Sequence, residues 1–299
     1  MIQFATQTRE QWLAERKGGI GGSDAAAAIG ISPWKSRFQL WSEKVGLIEQ
    51  PDLDSEAIEW GTRLEPIIAA AYREKTGRAV HVGEPFQITR HPDREWMMAT
   101  LDATQEVDGR GPGVLQIKTT SAFHLAEWED EPPLHYQVQV IHEMLVARLT
   151  WGTLCVLVGG QKLRWFDLDL HERFASALTE KEAEFWHLVQ SETPPEVDGS
   201  EATREALLLL YPKDSGEVVT LPDDASAWDA ELCQAKTAIK EAEARKSLAE
   251  NQLKAAIGNA SMGLLPTGQA YTFKAQTTHY KAKEACEATY RVLRRKEKP

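Results

Sequence analysis

The sequence predicts an α/β or α+β fold, a mixed central sheet flanked by helices. Three observations predict it. Helix-like segments fill the first 75 residues, and strand-like segments then crowd together between Ala79 and Thr120. After these, helices and strands interleave up to residue 190. One later segment, WGTLCVLVGG, is apolar almost throughout, as a strand covered on both faces would be.

The elements follow in chain order. Thr8 begins a T-x-x-Q pattern with Gln11, which predicts a capped helix running to Lys17. Gly18, Gly19, Gly21 and Gly22 stop it, and Ser23-Asp24 then open a second helix at AAAAIG. A third runs from about Ser36 through Leu40 and Trp41 to Gly46. A longer one covers Glu56 to Lys75 and closes at Gly77, with Pro66 as a kink or a second start. Strands are expected at AVHVG, PFQITRH, WMMATLDATQEV and GVLQIKTT, separated by turns rich in Pro and Gly. A helix from His135 to about Arg148 precedes WGTLCVLVGG and LRWFDLDL, and another covers Glu172 to about Gln190.

The segment SETPPEVDGS (191–200) is the expected boundary. It divides a core, residues 1–192, from a helical extension, 193–299, expected to pack on it. The extension holds a short helix with LLLLY, a long Ala/Glu/Lys/Leu-rich helix from about Ala225 to Ile257, and a hairpin at Pro266-Thr267-Gly268. Its last nineteen residues carry seven Lys or Arg against three Glu.

Composition narrows the function. The chain is 42% apolar and 26% charged, and no segment approaches the roughly 18 apolar residues of a membrane span. The N-terminus is too charged for a secretory signal. Cys155, Cys233 and Cys286 form no CxxC pair, which argues against disulfide frameworks, Cys-rich zinc sites and iron–sulfur clusters. A reduced, cytoplasmic location is expected. With 34 Lys and Arg against 45 Asp and Glu the net charge is -11, so any surface for DNA must be a local patch.

Four clusters of residues could carry chemistry. In GVLQIKTT, alternation places Gln116 and Lys118 on one face and Leu115 and Ile117 on the other. A hairpin would bring Asp102 beside the polar face. An acid, a metal-binding oxygen and a lysine meeting at one phosphate is what metal-assisted phosphodiester hydrolysis requires; a half-buried strand is the alternative. Glu65 adjoins the apolar run of its helix, either needing a partner or lying exposed near the kink. His135, Gln139 and His142 fall at i, i+4 and i+7 as a polar stripe, aimed at a site or at solvent. There is no HExxH, which disfavours zinc. Finally, glycines leading into a helix, with Trp12 and Arg16 one turn apart beside them, offer an anion site or a plain helix connection.

In this order, GGIGGSDAAAAIGISPW, WGTRLEP, LDAT, GVLQIKTT and HYQVQV resemble the YqaJ-type viral recombinase family, which includes phage lambda exonuclease. The resemblance spans about residues 10–170. It implies a PD-(D/E)XK, restriction-endonuclease-like core that uses Mg²⁺, with Mn²⁺ as a substitute. It also implies a 5′→3′ exonuclease that degrades one strand from duplex DNA ends and leaves a 3′ overhang for recombination. A ring-shaped homotrimer and a single-strand annealing protein as partner belong to the same expectation, and a ring with a basic bore would reconcile DNA binding with the acidic net charge. Glu65, Asp102, the side chain at 116 and the Ile117 carbonyl would hold metal. Lys118 would orient or activate water, and Gln139 would sit at the active site. Arg16 and Ser23 would bind the 5′-phosphate, Trp12 would contact the DNA end, and Ile58 would be an apolar wedge or an ordinary core residue.

One position departs from this pattern. The family expects an acid where this chain has Gln116. Glutamine keeps the shape and one oxygen of glutamate but loses its charge. The two accounts are an engineered glutamate-to-glutamine change, the one favoured here, and a natural glutamine serving as a weak ligand. Either predicts DNA-end binding with slow or absent cleavage. The rival readings are an endonuclease on the same core, a non-catalytic DNA-end-binding protein, and a helical scaffold built on Ala225–Ile257.

Overall fold

A computed structural model describes residues 8–49 and 56–278, which divide after Pro212 into two compact units. The basic segment 281–299, including Cys286, lies outside the described residues. The division falls beyond SETPPEVDGS because the helix Glu201–Leu210 buries Thr203 and Ala206, the latter in the same apolar cluster as Phe38, Leu40 and Trp41. The short helix therefore belongs to the first unit.

The first helices are α1 (Arg9–Arg16), α2 (Gly22–Ala28) and α3 (Arg37–Lys44), followed by α4 (Glu56–Thr76). The capping box at Thr8 and Gln11 is formed, and α4 runs through Pro66 as one helix. Next come β1 (Ala79–Val82), β2 (Thr89–His91), β3 (Arg94–Ala99), β4 (Ala103–Val107) and β5 (Gly111–Thr120). A 3₁₀ segment, Ala122–Trp128, then leads into α5 (Leu134–Ala147). The unit closes with β6 (Trp151–Val158), β7 (Lys162–Asp169), α6 (Glu172–Gln190) and α7 (Glu201–Leu210).

The main sheet has the order β1-β4-β5-β6-β7, antiparallel except that β5 and β6 run parallel. Parallel neighbours need a crossover, and α5 supplies it. Val114, Leu154 and Val156 pack on one face with Val138, Val140 and Met144 of α5 and Ala25 and Ala26 of α2. Leu115, Ile117 and Cys155 pack on the other with Ile68, Ala69 and Tyr72 of α4. The alternation expected for β5 therefore holds, with Leu115 and Ile117 in the core against α4.

The expected strand WMMATLDATQEV is instead two strands. Its first half, β3, pairs with β2 in a separate ribbon, and its second half, β4, joins the main sheet. The chain changes sheets at Thr100-Leu101-Asp102, so Asp102 stands just before a strand rather than within one. The glycine segment lies along β3: the Ile20 amide donates to the Trp96 carbonyl (2.7 Å) and the Met98 amide donates to the Ile20 carbonyl (2.8 Å). A Cβ on Gly19 would lie 2.4 Å from the Trp96 oxygen, so only glycine allows this approach.

The second unit contains α8 (Ala225–Ile257) and the antiparallel pair β8 (Met262–Leu264) and β9 (Ala270–Thr272), joined through the expected turn at Pro266–Gly268. Among the described residues no helix is long and apolar enough to cross a membrane.

Candidate active site

A cleft of about 570 Å³ opens in the first unit. The corner between α1 and α2 forms part of its wall. The Trp12 indole N–H donates to Thr100 Oγ1 (2.9 Å), and the Arg16 guanidinium lies 4.6 Å from the centre of the Trp12 ring. Arg16 Nη2 donates to Ser23 Oγ (2.7 Å). Trp12, Arg16 and Ser23, separated in sequence, thus line one wall together with the backbone of Gly21 and Gly22.

A buried ion pair fixes this corner. Lys44 Nζ donates to Asp24 Oδ2 and to the Arg16 carbonyl, both at 2.8 Å, and Asp24 also accepts from the Gly21 amide. Burial opposes the Asp24 charge, but Lys44, Arg16 and Lys35 outweigh it and hold the carboxyl well below the usual carboxylate range. Along the chain Asp24 reads only as a capping residue, and nothing local marks Lys44 as its partner.

Acidic side chains line the same cleft. Asp102 Oδ2 accepts from Gln116 Nε2 (2.5 Å) and from the Ile117 amide (2.8 Å). Glu65 comes from α4, half-buried in the cleft wall rather than exposed at a kink, and Gln139 comes from α5. A further carboxylate, Glu143, lies one helical turn after Gln139 and accepts from its Nε2 at 2.9 Å. Burial raises the Asp102 carboxyl despite Lys118 and its two N–H donors. Burial and the Asp102 charge push Glu65 to about 7, against the pull of Lys118. The same two causes push Glu143 to about 8.

Among the described residues no three His, Cys, Asp or Glu side chains converge closely enough to hold an ion by themselves, so a cation would need a mixed donor set. Gln116 meets that need: its amide nitrogen secures Asp102, while its oxygen is buried without a hydrogen-bond partner among the described residues. Together with Glu65 and Asp102 this suits a hard ion such as Mg²⁺ or Mn²⁺.

The expected polar stripe on α5 separates. Gln139 faces the cleft, but His142 is fully buried between Glu182 and the Met98 carbonyl, and His135 lies against the Trp34 and Tyr136 rings. A helix that packs on α2, α6, the β2–β3 ribbon and the main sheet buries most of its circumference, so a polar stripe on it need not face a single site. Ile58 is half-exposed on α4 and is not among the residues lining the cleft. Glu143 was missed; its only sequence signal is the i, i+4 spacing from Gln139.

A family model described as the YqaJ-like viral recombinase domain matches residues 11–150. The protein YqaJ of Bacillus subtilis (strain 168) is 33% identical over 278 residues, covering 90% of this chain and 85% of the relative. Protein D345L of African swine fever virus (strain Badajoz 1971 Vero-adapted) is 36% identical over 61 residues, 20% of this chain and 17% of that protein. Among solved structures, the alkaline exonuclease LHK-Exo from Laribacter hongkongensis superposes with a TM-score of 0.51 at 19% identity, over 62% of this chain and 94% of the other. At that identity the likeness concerns the fold, a restriction-endonuclease-like core.

Proposed function

Since the chain belongs to the YqaJ-like viral recombinase family, we propose that it is a nuclease, a Mg²⁺-dependent 5′→3′ exonuclease that degrades one strand of duplex DNA from its end. The observation that carries this reading is the shared cleft, lined both by Arg16 and Ser23 and by Glu65 and Asp102.

Arg16 and Ser23 receive the terminal 5′-phosphate by charge-assisted hydrogen bonds, and the Trp12 ring meets the DNA end. Glu65, Asp102, the Gln116 oxygen and the Ile117 carbonyl would hold the cation, which when bound would acidify water and neutralise charge on the phosphate. Lys118 orients the attacking water, and Gln139 contacts the reacting phosphate. Ile58, two turns before Glu65 on α4, splays the terminal base pairs. The product is a 3′ overhang that a single-strand annealing protein takes up. Assembly as a ring of three copies belongs to the same proposal.

Gln116 makes this centre weaker than one built on an acid, so the chain cleaves slowly. On linear 5′-phosphorylated duplex with Mg²⁺, the chain is expected to shorten 5′ strands, and Gln116→Glu to do so about tenfold faster or more. A covalently closed circle should stay intact; its cleavage would make the protein an endonuclease. End binding without hydrolysis in either protein would make it a non-catalytic end-binding protein.

Arg16→Ala is expected to erase the preference for a 5′-phosphate over a 5′-hydroxyl end. The loss of a charge-assisted contact corresponds to roughly ten- to a hundredfold in kcat/KM on the phosphorylated substrate only. Parallel rates on the two substrates give the answer, and an unchanged ratio would place the phosphate elsewhere.

A further inference from the structure

Glu143 has no role in the pattern described for the family, yet its surroundings are built for it. It is 1% exposed and lines the same cleft as Glu65, Asp102 and Gln139. One oxygen, Oε1, accepts from Gln139, while Oε2 is buried with no hydrogen-bond partner among the described residues. The neighbouring helix makes room for it, because a Cβ on Gly22 would lie 2.5 Å from Glu143 Oε1. A buried carboxylate with an unpaired oxygen beside other acids must take either a proton or a cation. The second orphaned oxygen of this region belongs to Gln116, on β5.

We propose that Glu143 is a carboxylate of the divalent-cation site, supplying from α5 the negative charge that Gln116 lacks on β5. This rests on the cation-dependent reading given above. With Glu65, Asp102 and Glu143 the site keeps three acidic groups, which retains the ion, while the charge needed for fast hydrolysis stays missing from its place on β5. What is assigned to Glu143 is charge in the ion's immediate surroundings. Direct chelation by three acids is not required, since Mg²⁺ commonly takes only one or two carboxylates and keeps several waters.

The test is Mn²⁺ binding to the full chain without DNA, followed by calorimetry and by the electron-spin-resonance signal of free Mn²⁺. Glu143→Gln keeps the shape of the side chain and an oxygen for Gln139. It should weaken Mn²⁺ binding about tenfold or more, because affinity at oxygen sites follows the count of charged ligands. Adding Gln116→Glu to Glu143→Gln should restore the original affinity. Asp102→Asn serves as the reference and should remove saturable binding. If Glu143→Gln binds Mn²⁺ as the unmodified chain does while Asp102→Asn does not bind, Glu143 is a packing residue and the proposal is wrong. Failure of Gln116→Glu to restore binding overturns the compensation. If Asp102→Asn also binds normally, the cation site itself is misplaced and the proposal falls with it.

Discussion

Asp102→Asn is expected to lower hydrolysis by about 10²–10³-fold or more while leaving the fold intact. The carboxylate is held by two N–H donors at one oxygen, and an asparagine of the same shape keeps an oxygen for the Ile117 amide. What disappears is a buried negative charge that the fold stabilises poorly, since burial raises the Asp102 carboxyl above its ordinary range. Removing such a charge commonly stabilises a protein at the expense of its activity. Thermal unfolding in chelator should therefore give an equal or higher Tm for the variant. The increase in Tm on adding Mg²⁺, expected for the unmodified chain, should be absent. A variant that unfolds early in chelator would mean that Asp102 is structural.

His142→Ala is expected to cost about 3–5 kcal/mol of stability, because it leaves Glu182 buried and unpaired. Both imidazole nitrogens have acceptors, Glu182 Oε1 at 2.8 Å and the Met98 carbonyl at 2.9 Å, so the ring is held in its doubly protonated form. Burial opposes that charge, yet Glu182 and the Met98 carbonyl prevail and raise His142 to about 9. The folded value lies above the unfolded one, so this stabilisation is complete below about pH 6.5 and is lost as pH rises through about 9. Glu65 and Glu143 are also raised, to about 7 and 8, so in metal-free buffer they too cost stability as pH climbs from the ordinary carboxylate range to those values. Urea unfolding at pH 6 and pH 9 checks both statements. The unmodified chain should be weaker at pH 9, and His142→Ala should lose less between the two. Equal losses would place the pH dependence elsewhere.

Much of this site was legible because its residues obey local rules. The alternation of GVLQIKTT fixes which side chains of β5 enter the core, and the caps at Thr8 and Ser36 mark where helices begin. The glycines before Ser23 likewise mark where one helix stops and the next begins. What escaped depends on contacts distant in sequence. Period-2 patterning cannot show that the chain changes sheets at Thr100-Leu101-Asp102, because both halves of the segment are strands. His142 and Glu143 are adjacent in sequence but serve the core and the cleft respectively, since α5 packs on β3, α6 and the main sheet at once. The Asp24–Lys44 pair joins two helices whose charges, read along the chain, resemble ordinary surface residues.

The parallel pairing of β5 with β6 also sets the order in which this molecule can assemble. Antiparallel neighbours such as β4 and β5 zip from a short turn, but β6 reaches β5 only after residues 121–150 have closed a long loop through α5. Loop closure of this kind costs chain entropy before any contact repays it, and it slows the folding of such topologies. Gln116 precedes that loop, while Gln139 and Glu143 lie within it. The nascent chain therefore completes its main sheet and brings these acidic-site residues together in one late event, and a truncation before Trp151 leaves no partially working centre.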